Sequence, residues 1–202
     1  MKRVQAVRNF RLASKRSSTL KLADKPTRFQ TENMPSGNYI IIPKVSSERR
    51  KYIPMGFMSK DNLSSDLVFI MPDATLYHFG VLTSKVHMAW TRVVCGRLKS
   101  DYRYSINIVY NNFPWPDATE EQKKQIEVMA QEILDARDKF PDCSLADLYD
   151  ETAMPPELRK AHQANDKAVM KLYGYKPDMP EPAIVADLMK RYQMLTDPAR
   201  NK

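Results

Sequence analysis

Between Cys95 and Pro116 the chain reads CGRLKSDYRYSINIVYNNFPWP. Within it Arg97, Lys99, Asp101 and Arg103 alternate with Leu98, Ser100, Tyr102 and Tyr104. In an extended segment, side chains two apart project from one face, about 7 Å apart at each step. Arginine and lysine donate to guanine acceptors in the major groove, and aspartate accepts from the cytosine amino group. An array of this kind is chemically equipped to probe base edges. The same spacing also suits a solvated strand face with an Asp–Arg pair, and spacing alone favours that reading.

A second cluster, Ser46-Ser47-Glu48-Arg49-Arg50-Lys51-Tyr52, concentrates hydroxyls and cations in a stretch that reads as a loop. Such groups suit phosphate oxygens, which position a protein on a duplex without reading its sequence. A solvated turn is the competing reading. The remaining candidates are weaker. Asn112-Phe113-Pro114-Trp115 departs from the Asn/Asp-Pro-Pro-aromatic signature of amino-methyltransferases where Phe113 replaces proline, so it reads as a structural linker. The chain has only three histidines, and His78 and His87 have no carboxylate or thiolate cluster nearby, which favours packing roles over catalysis or metal binding. No paired-carboxylate, Ser–His–Asp, phosphate-loop or zinc-ligand spacing stands out.

A reading edge must be held rigidly, so the flanking elements matter. Ser84 to Cys95 predicts a helix, with Val86, Ala89, Trp90, Val93 and Val94 on one face, Ser84 as N-cap and Gly96 as C-cap glycine. The charged run leaves that helix directly and exits into Phe113-Pro114-Trp115-Pro116, where two prolines end any regular element. Further upstream, residues 3–22 read as a basic helix or arm. Tyr39–Ile42, Tyr52–Met55, Leu67–Met71 and Thr75–Leu82 read as strand candidates.

After Pro116 the pattern is helical. Thr119 with Gln122 makes a capping box, Ser144 with Asp147 caps a short helix, and Pro155-Pro156-Glu157 opens a third helix closed by Gly174. Pro182 opens a fourth. Asn165 interrupts the apolar side of the third, as a weak point or a polar contact to a neighbour. The fold class expected is α+β: a mixed α/β domain over residues 1–116, then a small all-α helical domain over 117–202.

Charge divides at the same place. Residues 1–116 carry 19 Lys/Arg against 7 Asp/Glu, whereas 117–202 carry 13 against 17. The basic half is suited to a polyanion, with nucleic acid the leading candidate. No apolar run is long enough to span a membrane. The basic residues are not gathered on one amphipathic helix, which disfavours a membrane surface. Cys95 and Cys143 are too few for a disulfide framework or a Cys-rich zinc site, so buried free thiols in a reducing, cytoplasmic setting are expected.

Four ordered segments carry a family resemblance: Ile42 through Pro54, Asp73 through Ser84, His87-Met88-Ala89-Trp90, and Cys95 through Pro116. Together they resemble the C-terminal part of MmeI-like single-chain restriction–modification enzymes. In that family an endonuclease, a helical connector, an adenine methyltransferase, a target-recognition domain and a C-terminal helical domain are joined in one chain. The resemblance covers the last two. It implies that Lys99 and Asp101 occupy the positions that read one base pair, and that Arg103 bears on a neighbouring base. The residue chemistry agrees with a G·C pair, guanine facing Lys99.

On this reading the partner is double-stranded DNA, with Arg97, Ser46, Ser47, Arg49, Arg50 and Lys51 on the backbone. The methyltransferase and nuclease domains of the parent chain are the other partners, and no membrane is. The chain itself is expected to be non-catalytic and to need no cofactor. S-adenosylmethionine and magnesium belong to the parent alone. The alternative function is a nonspecific nucleic-acid or polyanion binder, and a stand-alone enzyme using His78 or His87 lacks a supporting constellation.

Overall fold

The computed structural model describes residues 1–32 and 34–197. These fall into two compact units, Met1–Pro35 and Ser36–Lys202. In the first, the basic segment forms α1 (Lys2–Leu12) and the short α2 (Ser17–Leu20). Arg11 holds this unit together by donating to the carbonyls of Leu22 (2.9 Å), Lys25 (2.7 Å) and Arg28 (2.6 Å). No residue of α1 is buried.

The second unit contains two small antiparallel sheets. One has the order β3-β1-β4, with β1 (Tyr39–Pro43) between β3 (Gly56–Met58) and β4 (Val68–Pro72). Pro43 ends β1, consistent with its missing donor. The other sheet has the order β2-β6-β5, from β2 (Val45–Ser46), β5 (Gly96–Leu98) and β6 (Asp101–Arg103).

Two strand expectations are corrected. Tyr52–Met55 is a buried, irregular segment, because Pro54 has no donor and the Met55 amide turns back to the Ile53 carbonyl at 2.8 Å. The strand starts one residue later. Thr75–Leu82 is helical, with α3 at Leu76–Leu82 capped reciprocally by Thr75 and His78. Tyr77, Phe79, Gly80, Val81 and Leu82 are all buried, so this helix lacks the polar face that would have announced its period.

The helix carrying Trp90 is α4 (Lys85–Val94), with the Ser84 hydroxyl accepting from the His87 amide at 3.3 Å. Its end departs from expectation: Cys95 is already extended and Gly96 is the first residue of β5, not a left-handed cap. A π-helical turn follows at Ile106–Tyr110. Then come α5 (Glu120–Asp138), α6 (Leu145–Leu148), α7 (Pro156–Leu172) and α8 (Glu181–Thr196). Thr119 and Ser144 cap α5 and α6 as their spacing predicts, and Gly174 takes the left-handed φ of 74° just past α7.

One core runs through this unit without a break at Pro116. Ile40, Tyr52, Phe79 and Trp90 belong to it together with Ile126, Ile133, Leu158 and Leu188. At the contact of α3 with α5 and α7, Gly80 leaves no room: a Cβ there would lie 2.5 Å from Ile126 Cγ2 and 3.1 Å from Asn165 Oδ1. Asn165 makes the polar contact to a neighbour, donating Nδ2–H to the Gly80 carbonyl at 2.8 Å. The Phe113–Pro116 linker is packed too. Phe113 meets the His87 ring edge-on at 5.0 Å, and the Tyr173 hydroxyl donates to the Pro114 carbonyl at 2.9 Å.

Candidate nucleic-acid interface

The alternating run is not a single strand. Gly96–Leu98 and Asp101–Arg103 pair as a hairpin, Gly96 opposite Arg103, Arg97 opposite Tyr102 and Leu98 opposite Asp101, and Lys99-Ser100 is the turn. The expected single row of four charges is therefore corrected. Cross-strand partners share a face. Arg97 and Tyr102 lie on one side, while Leu98, Asp101 and Arg103 lie on the other, with Lys99 at the tip.

The two faces differ in burial. Tyr102 is enclosed, and so is Ser46, its partner on β2. The Arg97 guanidinium stacks 4.3 Å over the Tyr102 ring and donates to the Ser100 and Arg92 carbonyls, each at 3.2 Å. These bonds tie the turn to the end of α4. Arg103 and Lys99 are exposed and Asp101 is half-buried.

Lys99 holds φ at 56°, a left-handed conformation that glycine or asparagine ordinarily supplies in a two-residue hairpin turn. A non-glycine residue kept in such a conformation stores strain and points to a function for its side chain.

The hydroxyl- and cation-rich loop lies beside the hairpin. The Tyr102 hydroxyl donates to the Glu48 carbonyl at 3.2 Å, and the Glu48 amide donates to Asp101 Oδ1 at 3.4 Å. Loop and hairpin thus form one braced ridge. Ser47, Arg49, Arg50 and Lys51 are at least partly exposed on it. Ser46 departs from expectation. It pairs in β2 with its side chain on the enclosed face, only 3% exposed, so its hydroxyl is turned away from any phosphate.

Beneath the ridge is a buried polar network that the linear pattern did not reveal. Tyr52, at the end of the loop, donates to Asp166 Oδ2 at 2.6 Å, and the Lys85 amide donates to Asp166 Oδ1 at 2.6 Å. The His162 ring stacks on Tyr52 at 4.1 Å, and its Nε2 is 2.6 Å from the Tyr149 hydroxyl. Arg137 donates to Tyr149 at 2.9 Å through Nε and to the Met55 carbonyl at 2.8 Å. Burial pushes the Asp166 carboxyl up and holds His162 well below the ordinary imidazole range. The members come from residues 52, 137, 149, 162 and 166, a set that only the fold assembles.

His87 is enclosed as well, its Nε2 3.1 Å from the Tyr104 hydroxyl, and burial lowers its pKa to about 4. It is a neutral core imidazole where the hairpin exits. His78 caps α3. Among the described residues no group of His, Cys, Asp and Glu is arranged to hold a metal ion. Both cysteines are free, but the expectation that both are buried is corrected: Cys143 is exposed and Cys95 half-buried, where its partial burial pushes the thiol up. Among the described residues no helix is long and apolar enough to cross a membrane.

Comparison with known proteins gives one consistent result. The family described as MmeI, target recognition domain, matches residues 1–117, and that described as MmeI, C-terminal domain, matches residues 118–199. DNA methyltransferase A of Bacillus subtilis (strain 168) is 39% identical over 195 residues, which are 96% of this chain and 22% of that protein. A solved structure of the type IIL restriction–modification enzyme MmeI in complex with DNA is 44% identical, with a TM-score of 0.85 over 96% of this chain and 26% of that one. The chain thus spans about a quarter or less of the length of these relatives.

Proposed function

Taking as premise that the chain belongs to the MmeI family, whose target recognition and C-terminal domains it carries, we propose that it is the DNA sequence-reading module of a restriction–modification methyltransferase. The observation that carries this reading is the hairpin tip, where Lys99 is exposed in a strained backbone and Asp101 stands beside it on a ridge braced from below. Lys99 donates to guanine O6 and N7, and Asp101 accepts from the amino group of the paired cytosine. Arg103, on the same outward face as Asp101, bears on a neighbouring base. Ser47, Arg49, Arg50 and Lys51 take backbone phosphates, which fix register without carrying sequence information. Arg97 sets the turn.

In this proposal residues 1–116 read the target and residues 117–202 form the helical support. The parent's methyltransferase part uses S-adenosylmethionine and its nuclease part uses magnesium, in the cytoplasm where the DNA to be modified lies. The present chain contributes specificity and no reacting group. The net charge of the basic half also supports a second reading, a nonspecific polyanion binder.

Competition between a duplex selected by the chain and random duplex at physiological salt separates the two. The sequence-reading module holds the selected duplex at least tenfold more tightly. A nonspecific binder gives a steep salt dependence and a ratio near one.

A further inference from the structure

A cavity of about 330 Å³ opens behind the basic loop. Its walls come from three places in the chain: Arg49, Arg50 and Lys51 from the loop, Arg92 from α4, and Arg159 from the first turns of α7. Five cations face three carboxylates, those of Glu48, Asp150 and Glu151. Two of these groups are already committed. Arg92 donates to Glu181 Oε2 at 2.7 Å and to the Lys51 carbonyl at 3.2 Å. The Asp150 carboxylate turns to its own loop and accepts from the Thr152 hydroxyl at 2.7 Å and amide at 3.0 Å.

The other four cations are held by no carboxylate among the described residues, although Lys51 Nζ lies 5.7 Å over the Tyr52 ring. Among the described residues Arg49, Arg50, Lys51 and Arg159 make no ion pair. Arg50 Nε is fully enclosed and has no hydrogen-bond partner there. An oxyanion seated in the cavity would gain charge-assisted hydrogen bonds from the arginine and lysine side chains that line it. The floor is fixed, since Tyr52 and Tyr149 line the cavity and both belong to the buried network. A preformed, arginine-rich concavity with a rigid floor matches the forked donor geometry that phosphate oxygens require.

We infer that this cavity is a pocket for a backbone phosphate of the bound duplex, built jointly by the loop before Tyr52 and by Arg159 of α7. The inference rests on the sequence-reading role proposed above. It adds that the helical segment touches DNA directly, through a residue more than one hundred positions from the loop. The contact is indifferent to sequence, because a phosphate diester is the same at every step.

The test is equilibrium binding of the full chain to selected and random duplexes across a salt series. Arg159→Ala is compared with Lys160→Ala, its exposed neighbour, which does not line the cavity. Arg159→Ala is expected to lower the log–log salt slope by about 0.9 and to weaken both duplexes roughly fivefold at 0.15 M salt, the contribution of one phosphate contact. The ratio between the two duplexes stays the same. Lys160→Ala leaves the slope within error, and both variants melt with the parent chain.

Equal effects of the two variants would reduce the pocket to net charge and overturn the proposal, as would an unchanged slope in Arg159→Ala. Inorganic phosphate is titrated at constant ionic strength while the Arg50 Nε–H resonance is followed. If phosphate moves it but Arg159→Ala leaves duplex binding intact, the cavity takes free anions and not the DNA backbone. Failure of the pocket alone leaves the selected-over-random ratio standing. Failure of the sequence-reading role removes that ratio in the unmodified chain.

Discussion

The hairpin tip and the helical floor beneath it are built on opposite principles. At the tip, Lys99 and Arg103 are exposed, and the backbone at Lys99 is strained. In the floor, Trp90 is 2% exposed, and its Nε1–H donates to the Val109 carbonyl at 2.9 Å. Between them lies a single layer in which Arg97 on Tyr102, and Tyr102 on Glu48, hold the tip in place. The exposed side chains of Lys99 and Arg103 therefore contribute little to folding, and in the proposal above it is the tip that specifies a base pair. The floor's side chains cannot change without loss of the platform. A protein arranged this way can alter what it reads while keeping what it is.

The largest effect is expected in the floor. Trp90→Ala removes a large buried side chain and leaves the Val109 carbonyl unpaired, and is expected to cost about 3–5 kcal/mol. Chemical denaturation followed by circular dichroism checks it, and a loss below about 1 kcal/mol would mean that Trp90 is not the anchor of α4.

Acid should also act on the floor first. The pKa of His87 is lowered from its ordinary 6.5 to about 4 by burial, so the unfolded chain binds its proton more readily. Its contribution is present above about pH 6.5, falls as pH drops, and is gone below about pH 4, with an upper bound of about 3 kcal/mol. His162 is shifted the same way, whereas the raised Asp166 works in the opposite direction. The decisive quantity is therefore a difference. The unfolding free energy of the parent chain should drop more between pH 7 and pH 4.5 than that of His87→Gln, and parallel curves would count against a neutral buried imidazole.

The smallest effect is at the tip, and its sign is opposite. Lys99→Gly relieves the left-handed backbone and should raise stability by about 0.5–1 kcal/mol while abolishing preference at one base pair. Thermal melting and the duplex competition read the two changes separately. Stability lost together with specificity would show that Lys99 belongs to the structure and not to the reading.

These contrasts also explain what was legible in the sequence. The caps of α5 and α6 were, because Thr119 with Gln122 and Ser144 with Asp147 are local hydrogen-bonding patterns, whereas the expected Gly96 cap gave way to a strand. The hairpin was not. Its turn, Lys99-Ser100, lacks the glycine or asparagine that marks a two-residue loop, and its charges alternate smoothly through the turn. The same segment thus read as one long edge. Thr75–Leu82 misled because a seven-residue helix with only Leu76 and His78 partly exposed shows little 3.6-residue period.

At the candidate interface, Lys99, Asp101, Arg103 and the loop cations stood out by type and spacing. Ser46 did too, although its strand turns it inward. Arg159 and the Tyr52–Asp166–His162 cluster carry no linear signal. Their proximity is a product of packing α7 against the α4 end of the unit.

In the proposed function the exposed tip reads one base pair while the floor only holds it. Exchanging the charges, Lys99→Glu with Asp101→Arg, and measuring binding to a panel of duplexes that differ at single positions tests this most directly. Preference at one position is expected to move from G·C toward the reversed pair, by about 1–3 kcal/mol, with all other positions unchanged and the melting temperature lowered only by loss of the long, exposed bond from the Glu48 amide to Asp101. A uniform weakening on every duplex, or an unchanged preference at every position, would contradict it.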